Sequence, residues 1–135
     1  GRASAESGAK GIIVSNHGAR YLDTTFTTIE VLPEVVEQVG ATAEVYMDGG
    51  IRRGSDIFKA LALGARAVLM GRPLFWGLAV NGEDGVSAVI EMLRDELAAT
   101  MGICGRTTID SIGLDTLGGI SPLQALFDNR DAVRR

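Results

Sequence analysis

The run Ser15-Asn16-His17-Gly18-Ala19-Arg20 holds the single histidine of the chain three residues ahead of an arginine. An imidazole titrates near neutrality and can take a proton from a substrate, while a guanidinium offers a planar fork to a carboxylate. Two small residues apart, they read as a base and an anion clamp that address neighbouring groups of one small molecule. A second candidate is Asp48-Gly49-Gly50-Ile51-Arg52-Arg53-Gly54. Consecutive glycines there let backbone N–H groups converge on an anion, and arginine adds charge. Gly71-Arg72 repeats the same chemistry in shorter form. The plainer reading is a loop histidine near a surface arginine, with glycines that only serve tight turns, and a single short motif does not decide between the two.

All three motifs follow segments that read as strands. Gly11 to Asn16 is a short β-branched run suited to a strand buried on both faces. Thr27 with Glu30 makes a T-x-x-E capping pattern, and Pro33 is expected to restart a short helix, with Val35, Val36 and Val39 inward and Gly40 as its stop. The pattern repeats with Ala43 to Asp48 as strand, Ser55 as N-cap of a helix over Asp56 to Leu63, and Gly64 as its end. A third strand, Ala65 to Met70, leads through Gly71-Arg72-Pro73 to a helical turn around Leu74 to Ala79. A long helix then runs from about Gly85 to Met101, where Val86, Val89, Ile90, Leu93, Leu97 and Met101 trace one face. Asp95 and Glu96 are expected to be solvated, Cys104 to be a packed small residue, and Phe75 and Trp76 to serve packing.

Successive β/α units require a parallel sheet, because the crossover hand is fixed. Either an open doubly wound sheet or part of an eight-stranded barrel satisfies this, and in both the ligand sits at the C-terminal strand ends. Adjacent strands that each end in a Gly/Arg anion site match the phosphate site at the last strands of the barrel, which favours that architecture.

Composition narrows the classes further. The 135 residues carry 13 basic and 17 acidic side chains, a net charge of -4, and no stripe of bases suited to nucleic acid. Apolar residues at 46% suffice for a core, and 18 glycines without a G-X-Y period exclude collagen. No apolar stretch is long enough for a membrane span, and no charged region followed by an apolar one opens the sequence as a signal peptide would. A lone cysteine cannot form an internal disulfide and is compatible with a reducing compartment; the cytoplasm is the expected location, with an organelle or a membrane surface as the alternatives. No His/Cys/carboxylate spacing suggests a metal site.

Taken together, Gly11 to Arg20, Asp48 to Asp56, Lys59 to Ala65 and Met70 to Pro73 resemble the C-terminal half of the FMN-dependent 2-hydroxy-acid oxidases and dehydrogenases, the family of glycolate oxidase, lactate oxidase and flavocytochrome b2. The resemblance runs from about Gly8 to Gly105. It implies an α/β fold, namely the C-terminal three β/α units of a TIM (β/α)8 barrel over 1–105, with 106–135 as a C-terminal tail. It further implies FMN as cofactor, a small (S)-2-hydroxy acid as substrate, and a homo-oligomer, a tetramer in many members. His17 then corresponds to the base that takes the hydroxyl proton, and Arg20 to the arginine that holds the carboxylate. Ser15, His17, Asp48, Gly49, Gly50, Ile51, Arg52, Gly71 and Arg72 correspond to positions around the flavin and its phosphate.

Two departures stand out. Tyr21 occupies a position where the family often has Gln. The lysine, tyrosines and aspartate that the family brings from its first five strands have no match in this sequence. Related barrels with DGG and GR loops, such as IMP dehydrogenase or isopentenyl diphosphate isomerase, lack the His17 to Arg20 segment. As a separate polypeptide, the expectation is a non-catalytic, self-associating half-barrel, because sheet edges and half of the flavin site would be exposed or missing.

Overall fold

The computed structural model describes residues 2–118. Its elements run α1 (Arg2–Glu6), β1 (Gly11–Val14), α2 (Thr28–Val39), β2 (Glu44–Met47), α3 (Gly54–Ala62), β3 (Ala67–Val68) and α4 (Arg72–Ile103). The strands form one parallel sheet in the order β1-β2-β3. Val14 is level with Met47, and Met47 with Val68, so the three chains leave the sheet side by side at its C-terminal edge. Bonds from Asp48 N to Val14 O (3.0 Å) and Leu69 N to Met47 O (2.8 Å) carry the ladder one step past those residues. This register brings the three candidate loops together.

One face of the sheet carries the core. Val14, Val45 and Met47 meet Leu32 and Val39 of α2 and Ala60 of α3 in a single buried cluster, with Ala5 of α1 packed against it. Full burial of side chains such as Leu32 and Val39 stabilises by about 1.5–3 kcal/mol each. The other face is bare: Ile13 is 53% exposed and Leu69 41%. The expectation that β1 is buried on both faces therefore fails, since among the described residues helices cover only one side. The third strand is also shorter than expected, with only Ala67 and Val68 in the ladder.

Helix α2 is continuous through Pro33 rather than restarting there. The Glu30 carboxylate accepts from Thr27 N (2.9 Å) and Thr27 Oγ1 (2.6 Å), which starts the helix before the proline. Leu32 and Val39, on either side of Pro33, are both anchored in the core, so packing outweighs the missing N–H. Helix α3 starts at Gly54 with Arg53 as N-cap, ahead of the expected Ser55. Asp56 sets this start by accepting from the N–H groups of Arg52 (3.0 Å) and Arg53 (2.9 Å).

Helix α4 bends at Asn81 (φ -148°) and Gly82 (φ 56°, ψ -136°), close to the expected break before Gly85. Beside the bend its two limbs touch through glycine backbone, where a Cβ on Gly85 would stand 2.0 Å from Gly77 O. Along the second limb Leu93 is buried, while Leu97 and Met101 pack with Phe58, Ala62 and Ile112. Ile90 departs from the expected face and is 49% exposed, because one residue beyond Val89 turns it about 100° round the helix. Cys104 is exposed, not packed. Residues 106–118 lie over α3 through Ile112 and Leu117, whereas the rest of the expected tail, 119–135, lies outside the described residues.

Candidate active site

Beyond Val14 the chain makes one tight turn in which His17 (φ 56°), Gly18 (φ 66°) and Ala19 (φ 58°) all lie in the left-handed region. For His17 and Ala19 that conformation costs about 1–2 kcal/mol each. Local bonds hold it: Asn16 Oδ1 accepts from Gly18 N (3.1 Å), Asn16 O from Ala19 N (3.0 Å), and Ser15 Oγ from His17 N (3.2 Å). Strain of this kind persists only where the surroundings over-determine it, and it concentrates at functional sites.

After β2, Gly49 (φ 84°) and Gly50 (φ 81°) turn the chain in a conformation that side chains resist. A Cβ on Gly49 would stand 3.0 Å from Asn16 Oδ1 and 3.3 Å from Thr28 Oγ1. Thr28, buried at the start of α2, donates to Gly49 O (3.3 Å). After β3, Arg72 crosses back over β2 and its Nη2 donates to Gly18 O at 3.5 Å. The three strand tips thus form one unit. An open groove of about 630 Å³ runs between them, lined by His17, Gly18 and Arg20 from the first, Asp48 to Arg52 from the second, and Leu69 to Pro73 from the third, with Phe75 at its border.

Every expected site residue but one lines this groove. The exception is Ser15, which lines a neighbouring depression of about 360 Å³ together with Tyr21 and Phe26. Trp76 is 51% exposed and stacks under the Arg52 guanidinium, 5.2 Å from its Cζ, and Phe75 is 68% exposed. The expectation that both serve packing is therefore corrected. Glu96 is likewise not simply solvated: its carboxylate accepts from Gly54 N (2.8 Å) and pairs with Arg53 (3.5 Å). Asn16, Thr28 and Glu96 are the supporting residues that sequence reasoning missed. Only Asn16 lay inside a recognised motif.

The groove has the chemistry to hold a phosphorylated, polar ligand. Arg52 and Arg72 bring two positive charges to it, while Gly50 and Gly71 have no atom within 4 Å of where a Cβ would stand, leaving the backbone approachable. Among the described residues Asp48 Oδ1 is buried without a hydrogen-bond partner, and Asp48 lines the groove. Such an orphan calls for a donor from outside the chain, and the hydroxyls of a ribityl chain have that character. At the α3 N-terminus, by contrast, the carboxylates of Asp56 and Glu96 already take the N–H groups of Arg52, Arg53 and Gly54. An anion in the groove must therefore be held by the glycine loops and the guanidinium groups. FMN, with one phosphate and a polyhydroxyl chain, fits this donor and acceptor set.

Comparison with known proteins agrees with this geometry. The family model for FMN-dependent dehydrogenases matches residues 2–118. The chain belongs to that family. It is 58% identical over 114 residues to an L-lactate oxidase of Roseobacter sp. (strain GAI101), covering 84% of this chain and 31% of that protein. It is 59% identical over 107 residues to a peroxisomal (S)-2-hydroxyacid oxidase of Arabidopsis thaliana, covering 79% and 30%. Among solved structures, a mandelate oxidase with benzoyl-formic acid superposes with a TM-score of 0.79 at 48% identity, over 82% of this chain and 33% of that one. The chain thus spans about a third of the length of the relatives it matches. No helix among the described residues is long and apolar enough to cross a membrane, and no group of His, Cys, Asp and Glu among them could hold a metal ion.

Proposed function

We propose that residues 1–105 form the C-terminal three β/α units of a TIM (β/α)8 barrel, with 106–135 as its tail, in an enzyme that oxidises an (S)-2-hydroxy acid to the 2-oxo acid using FMN. One observation carries the reading: His17 and Arg20 line the same groove as the Asp48–Arg52 and Gly71–Arg72 loops, with Arg72 bonded across to Gly18 O. The relatives include an L-lactate oxidase and an (S)-2-hydroxyacid oxidase, and their names support the same substrate class. The bare sheet face and short β3 are what a barrel segment offers to the remaining strands.

In this reading Arg20 holds the substrate carboxylate with its guanidinium fork. His17, three residues before it, then stands by the 2-hydroxyl and accepts its proton at an imidazole nitrogen as the C2–H bond breaks. FMN supplies the acceptor for the hydride. Arg52, Arg72 and the backbone of Gly49, Gly50 and Gly71 hold its phosphate, and Asp48 accepts hydrogen bonds from its polyhydroxyl chain. The family correspondence also assigns Ser15 to the flavin surroundings, and in this chain it lines the neighbouring depression rather than the groove itself. Assembly into a homotetramer is part of the same proposal and is checked by light scattering of the complete protein.

The test is to add (S)-lactate or glycolate without air to the complete polypeptide loaded with FMN. The flavin absorbance should bleach, and His17→Gln should abolish bleaching while FMN stays bound. A flavin that no short 2-hydroxy acid reduces would overturn the assignment.

A further inference from the structure

Tyr21 is 78% exposed, so its ring contributes little to the core. What the ring touches is the two side chains to which the reaction is assigned. Its centroid lies 4.8 Å from that of His17 with the planes tilted by 55°, within the range of an attractive aromatic pair. On the same ring sits the Arg20 guanidinium, with Cζ 5.9 Å from the centroid, at the reach of a cation–π contact. Among the described residues no hydrogen bond or ion pair reaches the His17 imidazole or the Arg20 guanidinium, and both meet the Tyr21 ring. Tyr21 does not itself line the substrate groove. It lines the neighbouring depression with Ser15 and Phe26.

We propose that Tyr21 is a positioning residue, whose ring acts as a common backstop that fixes the His17 imidazole relative to the Arg20 guanidinium and so matches both to the hydroxyl and carboxylate of one substrate. The inference rests on the roles given to His17 and Arg20 above. Its physical basis is the left-handed turn between them. His17 and Ala19 hold unfavourable backbone conformations, and both side chains project from an exposed loop, so backbone alone leaves their torsions free. A ring packed against both removes that freedom before substrate arrives. The aromatic face does this work and the phenolic hydroxyl does not, because each contact is to the ring.

The experiment compares Tyr21→Phe and Tyr21→Leu with the unaltered complete polypeptide. Flavin fluorescence titration gives FMN affinity, and anaerobic rapid mixing with (S)-lactate or glycolate gives the limiting rate of flavin reduction and the substrate dissociation constant. FMN affinity should be the same in all three proteins. Tyr21→Leu should lower the limiting rate about tenfold or more, since small misplacement of reacting groups is costly, and weaken substrate binding about two- to fivefold. Tyr21→Phe should restore both to within about twofold, as the ring face is kept. Three results would overturn the proposal: Tyr21→Leu reduced as fast as the unaltered protein, Tyr21→Leu losing FMN affinity in step with rate, or Tyr21→Phe as impaired as Tyr21→Leu. If the unaltered protein itself is not reduced, the enzymatic reading falls and this inference with it. Normal reduction with an unaffected Tyr21→Leu overturns this inference alone.

Discussion

Replacing Gly54 by alanine tests whether α4 sets the position of the anion loop. A methyl group there would stand 2.1 Å from Leu97 N and 2.4 Å from the carbonyl carbon of Glu96, both backbone atoms of α4. Ordinary contact begins near 3.4 Å, so α4 would have to retreat by about 1.3 Å in a close-packed region that does not yield freely. Overpacking of this kind costs about 1–3 kcal/mol. The retreat also stretches the 2.8 Å bond from Gly54 N to Glu96, a half-exposed bond to a charged acceptor worth about 1–2 kcal/mol after screening. Together the loss is about 2–5 kcal/mol, a large part of the stability of a typical domain.

The opposing effect has the opposite sign. In a helix without that neighbour, glycine to alanine stabilises by about 0.5–1 kcal/mol. The direction of the change therefore decides the matter. Urea denaturation of the complete polypeptide, with and without FMN, should give a lower midpoint for Gly54→Ala. FMN affinity should fall as well, because Arg52 and Arg53 directly precede the displaced helix start. Glu96→Gln keeps an acceptor for Gly54 N and should lose only about 1 kcal/mol. A midpoint for Gly54→Ala at or above that of the unaltered protein would refute the packing of α4 on α3 and the claim that Glu96 anchors the loop.

Two further substitutions probe the strand tips. Ala19→Gly removes a left-handed alanine and should raise stability by about 1 kcal/mol in thermal unfolding while slowing flavin reduction, because the turn that carries His17 and Arg20 loosens. Asp48→Ala removes a buried carboxylate oxygen that has no partner among the described residues, so the flavin-free protein should be as stable or up to about 1–2 kcal/mol more stable in urea, while FMN affinity measured by fluorescence titration falls at least about tenfold.

Local rules explain which parts of this fold could be read from sequence. The Thr27–Glu30 cap, the Gly64 stop and the break near Gly82 depend on residues within one turn of the feature they mark, and all are found. The three candidate loops were legible for a related reason: parallel strands in register deliver their C-terminal ends to one edge whatever the side chains do. Glu96 was not legible because its partner Gly54 is 42 positions away, and a glutamate on a helix reads as solvated until the neighbouring helix is known. Trp76 and Cys104 were misread since an apolar or small residue near a helix end is buried in most contexts, whereas here the first limb of α4 and the turn after Ile103 face outward. The left-handed turn showed only its glycine, for nothing in the identities of His17 or Ala19 announces a positive φ.

That turn also explains how a loop rich in small residues can hold the proposed base and clamp in register. Three successive left-handed residues reverse the chain within His17 to Ala19, so His17 and Arg20 leave opposite ends of one turn on the same side of the sheet edge. Asn16 is central to this arrangement. Its carboxamide oxygen accepts from Gly18 N on one side and, on the other, meets the space beside Gly49 where a side chain cannot fit. The first tip is thereby seated against the second, and Arg72 ties the third to the first through Gly18 O. Strain in the turn is thus offset by contacts with the loops that would hold the cofactor. A change that weakens cofactor binding at Gly49 or Arg72 should reach His17 and Arg20 through Asn16 and Gly18, without any direct contact between the two sets of side chains.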